Sequence, residues 1–596
     1  MQRFGQPIEL DEQGHRKRHA GLRPLRLQAL VARQADSVDP EKTFRRLQSA
    51  NADRFWLLST ATVALAADPG AEDPNNWPQY HRTSNAWRYS PLDQINKNNV
   101  SKLSVAWIAQ GGDITMGIQE TPLAIDGVIY SITAGNRVAA LDGKTGQELW
   151  SFQPKLDPLT KKVLFAPYSR GVAVGHGMVF IGTVDGRGIA LDQKTGKEKW
   201  QVQLTDFANC HGCNFTSPPV VAGDILTFGS TAGELATQGK IFGVEAETGK
   251  KVWEFNTIKN DQKSWPGESG KYGGGGAWMP GTYDAETNTV FYGTGNPGKD
   301  FINSDRQGDN LYTDSVVALD AKTGNLKWYR QEIKQDVWDY DSPYEVMLFK
   351  KNGKDLIVHM NKSGYVFVLE KNNGNIENIW PISDIKNFVK DIDKETGELI
   401  GRVELPMNQE TLICPSTFGG RSWNSGAYNP KTGLWYNNVL DFCGYLKPVA
   451  QKEDPKDYGT GHTGSNDFGR LVMAPDGRKP GRLDARDPFT GERKWTYEMD
   501  IPGFASVLTT GGGLVFNGDP MGILRAFDAD TGKVLWSFNT GSGMRSGIIS
   551  YAVDGEQYIL VPSGWGSYAA VLLPPLFPQL EKVPAASTLI AFKLPK

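Results

Sequence analysis

Apolar and polar residues alternate in short runs, and one such run returns along the chain. Val138-Ala139-Ala140-Leu141-Asp142-Gly143-Lys144-Thr145-Gly146-Gln147-Glu148-Leu149-Trp150 predicts a strand, a tight turn and a return strand ending in tryptophan. Further copies end at Trp200, Trp253, Trp328, Trp495 and Trp536. Two copies are weaker: Val366-Phe367-Val368-Leu369-Glu370 with Asn373-Gly374, and the run from Ala427 through Thr432-Gly433 to Trp435. The alternating residues form an inner strand, Asp-x-x-Thr-Gly makes the turn, and the Trp is large enough to wedge between neighbouring sheets. One sheet of this kind cannot bury both faces, so the copies must stack. Repeats of roughly 40–50 residues with four strands each describe propeller blades. The expected fold is all-β: an eight-bladed β-propeller of four-stranded antiparallel blades. Ser587-Thr588-Leu589-Ile590-Ala591-Phe592 reads as an inner strand without its return. It is expected to complete the first blade, whose other strands hold Trp77 and Trp107, and so to close the ring.

Composition supports this picture. The chain has 596 residues, with 67 Gly, 17 Trp and 20 Tyr, and long 3.6-period apolar stripes are scarce. A net charge of only −3 gives no reason to expect nucleic acid or an anionic membrane as partner. The run from Arg54 to Ala66 has the apolar core and small-residue end of a secretory signal. Cleavage after Ala66 is expected. Residues 1–50 are polar and Arg-rich, and read as a disordered leader or an over-extended translation start. The expected organisation is a leader and signal region over 1–66 and a single propeller over 67–596, in an exported, periplasmic protein.

The interval from Trp253 to Trp328 is longer than those before it, and inserted loops of a repeat fold carry function. Directly after it comes Gln335-Asp336-Val337-Trp338-Asp339-Tyr340-Asp341-Ser342-Pro343. In an extended segment Asp339 and Asp341 share a face. Two carboxylates side by side repel, so one is protonated or a cation sits between them. The residues alone leave two readings open: an acidic surface turn, or a metal-assisted base. The four cysteines of an exported chain read as disulfides. Cys414 and Cys443 flank a hairpin-like run, and Cys210-His211-Gly212-Cys213 is expected to close on itself. Asn214 stands where a haem-binding motif needs histidine.

The repeated A-x-D-x-x-T-G-x-x-x-W unit, with Arg88-Tyr89-Ser90-Pro91-Leu92 and Gln94-Ile95-Asn96 ahead of it, resembles the pyrroloquinoline quinone (PQQ) alcohol dehydrogenases, from about Asn76 to the C-terminus. The resemblance implies a site. Glu234 in Gly233-Glu234, Asn296 in Gly293-Thr294-Gly295-Asn296-Pro297, and Asp339 match the family's metal ligands, with Asp339 also its catalytic base. Such oxygen ligands suit Ca²⁺ or a lanthanide(III) ion. Gly273-Gly274-Gly275-Gly276-Ala277-Trp278 resembles the segment that places a tryptophan against PQQ. Arg170 and Lys362 occupy cofactor positions, and Glu120, Thr216 and Asn424 are further carry-overs. Lys362 would stand beside the reactive carbonyl. An aspartate at 341, two places after the base, resembles the lanthanide-using members and would be an added metal ligand.

The implied reaction is oxidation of a primary alcohol by metal-assisted hydride transfer to PQQ. Expected partners are a small alcohol, a separate cytochrome c and, as one mode of assembly, a second copy of the chain. Two features depart from the family pattern. The adjacent cysteines expected before Arg170 are replaced by Leu164-Phe165-Ala166-Pro167-Tyr168, so Phe165 or Tyr168 is expected to cover the quinone. The chain also has no C-x-x-C-H motif, so electrons are expected to leave to a separate acceptor. The alternatives are a sugar or polyol dehydrogenase and a non-catalytic envelope scaffold.

Overall fold

The computed structural model describes residues 73–163, 168–450, 461–466 and 468–596. The leader, the signal run and Phe165 lie outside the described residues. Among the described residues are eight four-stranded antiparallel sheets, one of which gains a short fifth strand, Tyr89–Ser90, on its innermost edge. The second blade is typical: Leu123–Ile125, Val128–Ile132, Val138–Asp142 and Glu148–Phe152 run from centre to rim. The strand read as the inner one is thus the third of four. It is buried on both faces because a blade lies against each. Innermost strands neighbour one another from blade to blade, as Ala173–Gly175, Val220–Ala222 and Thr282–Asp284 do.

The repeat motif joins one blade to the next. The Trp150 indole N–H on the outermost strand donates to the Gln193 carbonyl in the next blade's turn (3.2 Å). Trp107, Trp200, Trp253, Trp328, Trp380 and Trp495 donate in the same way to Gly143, Ala246, Ala321, Lys371, Pro488 and Ala529. The turn glycine is required twice over. Gly196 has φ +69°, and a Cβ there would sit 2.4 Å from the Trp150 ring. The Asp of the motif folds the turn: Asp142 Oδ1 accepts from the Thr145 N–H (2.8 Å) and hydroxyl (2.7 Å).

The ring closes through the C-terminal strand. Thr588–Lys593 pairs with Ser104–Gln110 on one side and Glu556–Ser563 on the other. Trp536 of the neighbouring blade meets Phe592 edge-on at 5.4 Å.

Two expectations about the repeats need correction. Trp435 does not end a blade. It lies on Leu434–Leu440, the second strand of the sheet that Trp495 terminates. Its Asn429–Gly433 turn imitates the motif because any tight hairpin needs a positive φ, here +71° at Gly433. Seven copies remain, the weak one at Asn373-Gly374 docking through Trp380, and the closing blade with Trp107 on its outermost strand makes the eighth. Trp77 is not in the first blade; it bridges to Ala124 in the second.

Two insertions, one between the sixth and seventh blades and one between the second and third strands of the seventh, together form a sheet of Thr411–Ile413, Phe442–Leu446 and Arg470–Met473. The Cys414–Cys443 disulfide fastens this sheet, and Cys210–Cys213 closes locally, both as expected. Arg421 anchors the first insertion with a bidentate pair to Glu345 (2.7 and 2.6 Å). Both residues are buried, so each charge compensates the other. No helix among the described residues is long and apolar enough to cross a membrane.

Candidate active site

The segment of residues 335–343 links the fifth and sixth blades and is not a strand. Asp336 shapes it. Its carboxylate accepts from the Trp338 N–H (2.9 Å) and the Tyr340 N–H (2.7 Å), winding the chain into a turn. Asp336 is fully buried, which excludes the reading of this segment as an acidic surface turn. Asp339 then takes φ +64°, a left-handed conformation that aspartate tolerates. A turn, not strand alternation, brings Asp339 and Asp341 together. Asp339 Oδ1 and Asp341 Oδ2 each lie 2.7 Å from Lys362 Nζ. Tyr340 and Tyr344 donate to the carbonyls of Pro415 (2.6 Å) and Arg421 (2.7 Å), tying this segment to the inserted loop.

The glycine loop beside it is cut to fit. A Cβ at Gly295 would stand 2.5 Å from Asp341 Oδ1, and one at Gly233 would stand 2.9 Å from Asn296 Oδ1. With neither present, Asp341 Oδ1 accepts from the Asn296 N–H (3.2 Å) and from the Trp278 indole N–H (3.1 Å). The Asn296 amide donates to Asp300 (2.8 Å). Asp300 is fully buried, and its second oxygen has no hydrogen-bond partner.

These groups line a cleft with about 970 Å³ of free space, its open mouth included. Glu234, Asp339, Asp341 and Lys362 are among its lining residues. Arg170 lies between Trp278 (5.1 Å) and Trp423 (4.7 Å), and donates to Thr216 Oγ1 (2.6 Å). Tyr168, Phe418, Phe468, Tyr568 and Leu572 make the apolar part.

Charge in the cleft is unbalanced. Burial, then Asp341, raises Glu234 to about 7. Burial, then Glu234 and Asp341, raises Asp300 well above the carboxylate range. Burial also raises Asp339, against the pull of Lys362 and with the push of its acidic neighbours. Burial disfavours the Lys362 ammonium, but Asp339 and Asp341 outweigh it and keep it charged. Among the described residues no three acidic, histidine or cysteine side chains already converge on one point. Lys362 stands between Asp339 and Asp341 instead. An all-oxygen donor set with more carboxylates than ammonium groups suits a hard cation. An indole face and a buried guanidinium beside it suit a flat, anionic ring.

Comparison with known proteins decides the matter. The β-propeller domain model of the PQQ glucose/ethanol/alcohol dehydrogenases matches residues 77–398 and 477–559. The chain belongs to the PQQ-dependent alcohol dehydrogenases. It is 32% identical to the quinoprotein alcohol dehydrogenase PedH of Pseudomonas putida, over 91% of this chain and 95% of that one. It is likewise 32% identical to the quinoprotein ethanol dehydrogenase of Pseudomonas aeruginosa, over 90% and 94%. A solved europium-containing methanol dehydrogenase superposes with TM-score 0.81 at 28% identity, covering 88% of this chain and 99% of that one. The chain is therefore an oxidoreductase of alcohols that uses PQQ with a Ca²⁺ or lanthanide ion.

In this PQQ-dependent dehydrogenase the cleft gathers Arg170, Thr216, Glu234, Trp278, Asp339, Asp341 and Lys362, and Asn296 touches it through Asp341. Tyr168 also lines it. Glu120 and Asn424 are not among the lining residues. Glu120 is turned into the second blade, where its oxygens accept from Ser131 Oγ and Ile132 N–H (2.6 Å each). Its neighbour Gln119 reaches the cleft instead, the one-residue slip that extended chain allows. Asn424 donates to the Arg545 carbonyl (2.8 Å). Asp300, Trp423 and Arg545 escaped the sequence reading. Asp300 had a signal, four residues after Asn296.

Glu120 carries a testable consequence. Burial raises its carboxyl to about 8, against the pull of Ser131 and Ile132. A pKa raised on folding favours the fold below the unfolded value of about 4.5, and that contribution is lost as pH rises through 8. Glutamine keeps the shape, accepts from Ile132 and donates to Ser131. Glu120→Gln should melt with the wild type near pH 4.5 and about 2 °C or more above it at pH 9. A gap in melting temperature that does not widen with pH would refute the buried-acid assignment.

Proposed function

We propose that this chain is a periplasmic PQQ-dependent dehydrogenase that oxidises a primary alcohol to an aldehyde and passes electrons to a separate cytochrome c. The observation that carries the reading is the convergence of Asp339 and Asp341 on Lys362, beside Glu234, Asn296 and the Trp278 ring. Bound PQQ supplies a two-electron acceptor and its metal a Lewis acid. The chain's part is to place and polarise. Asp339 takes the hydroxyl proton of the alcohol, its carboxylate held ionised by the Lys362 ammonium 2.7 Å away. Glu234, Asn296, Asp339 and Asp341 hold the cation, and Asp300 orients the Asn296 amide. Lys362 keeps a positive charge at the reacting end. Arg170 and Thr216 hold the anionic cofactor against Trp278. Phe418, Phe468, Tyr568 and Leu572 exclude water.

Four acidic side chains (Glu234, Asp300, Asp339 and Asp341) set against the single Lys362 ammonium favour a trivalent ion over Ca²⁺. Export rests on the signal-like run ending at Ala66. Reconstitution of the apo-protein with PQQ and either La³⁺ or Ca²⁺, assayed with an artificial acceptor across short alcohols, should yield turnover, higher with La³⁺. No turnover with any combination would sink the proposal.

A further inference from the structure

Most large buried guanidiniums of this molecule are well supplied with acceptors. Arg421 has Glu345, and Arg482 and Arg486 have Asp484. Arg88 donates to three carbonyls, and Arg306 to two carbonyls and an amide oxygen. Arg170 and Arg545 differ. They are 8% and 6% exposed, both line the cleft, and among the described residues neither has an acidic partner. Arg170 donates to the Thr216 hydroxyl (2.6 Å) and, at 3.4 Å, to the Thr216 carbonyl, and Arg545 donates to the Ser567 hydroxyl (2.5 Å). The Nε–H of each also lacks a partner, as it does in Arg306 and Arg421.

Both also approach one ring. Their guanidinium carbons lie 4.7 and 5.6 Å from the Trp423 centroid. Two buried like charges around one indole repel, and desolvation adds to the cost. Either charge in a dry site needs a counter-ion, and both side chains line the cleft. An anion with more than one negative group satisfies both at once.

We propose that Arg545 is a second guanidinium grip on the carboxylates of the bound cofactor, acting with Arg170 across Trp423. This rests on the reading of the cleft as the PQQ site, PQQ being a tricarboxylate. Arg545 lies in Gly541-Ser542-Gly543-Met544-Arg545-Ser546-Gly547, the loop from the eighth blade's outermost strand to the closing blade. It therefore brings a part of the cleft that is remote in sequence to the cofactor. Asn424 acquires a role as well: its amide N–H donates to the Arg545 carbonyl (2.8 Å) and so positions the grip.

The test titrates the full apo-protein with PQQ at saturating La³⁺ or Ca²⁺, following quenching of tryptophan fluorescence. Arg545→Gln should raise the Kd about 30-fold and Arg545→Lys about 10-fold, the loss expected of a charge-assisted fork and of its fork geometry alone. PQQ trimethyl ester, which lacks the negative charges, should bind wild type and Arg545→Gln alike. Equal PQQ affinity in wild type and both variants overturns the inference. So does an equal loss for PQQ and its ester, which marks a merely structural side chain. If Arg545→Gln fails to fold, the same comparison is decided by Arg545→Lys. A wild-type protein that binds no PQQ overturns the underlying site reading instead.

Discussion

Asparagine in place of Asp339 should lower kcat by about 1,000-fold or more while leaving PQQ binding in place. A positioned base contributes roughly 10²–10⁴ in rate, and asparagine has the shape without the basicity. The neighbourhood should survive the change. Lys362 keeps its partner Asp341 at 2.7 Å, and the turn is held by Asp336, not by Asp339. The measurement is steady-state turnover at saturating alcohol with an artificial acceptor, paired with PQQ and metal titrations. Turnover within about tenfold of wild type would remove Asp339 as the base.

Loss of Asp341 should separate the two metals. Asp341→Ala is expected to abolish La³⁺-dependent activity before Ca²⁺-dependent activity, with La³⁺ affinity falling at least about 10-fold more. A unit negative charge attracts a 3+ ion half as strongly again as a 2+ ion at the same distance. The alanine also frees the Trp278 indole N–H and the Asn296 N–H, both of which donate to Asp341 Oδ1. That packing loss acts on both metals alike, so the ratio of affinities is the diagnostic reading. The reverse order, with Ca²⁺ lost first, would reject the assignment of Asp341 to a trivalent site.

The parts of this molecule that could be read from sequence are those with short-range causes. The turn glycine and the tryptophan four residues after it both answer to local geometry, so the blades were visible. Trp435 misled because a hairpin turn needs the same glycine whatever sheet it serves. Gly293, Gly295 and Asn296 were legible because close backbone approach admits few residues. Asp336 was misjudged because an acidic turn looks the same exposed or buried. Only its two backbone donors, Trp338 and Tyr340, show that it is a fastener. Glu120 and Gln119 differ by one position, and the direction of each depends on the pairing of the second blade. Arg545 was invisible because no local pattern surrounds it. Its meaning comes from Trp423, more than a hundred residues away.

The strand Thr588–Lys593, which seals the ring, has one more consequence. Its partner Ser104–Gln110 lies far back along the chain, before the second blade, so a chain folded only through the eighth blade is an open arc. The final strand is a clasp. Until it is in hand, the first blade lacks its third strand, and the central cleft has no rigid frame. Catalytic competence should therefore arrive late and all at once. Removing the last ten residues should damage a site that they never touch.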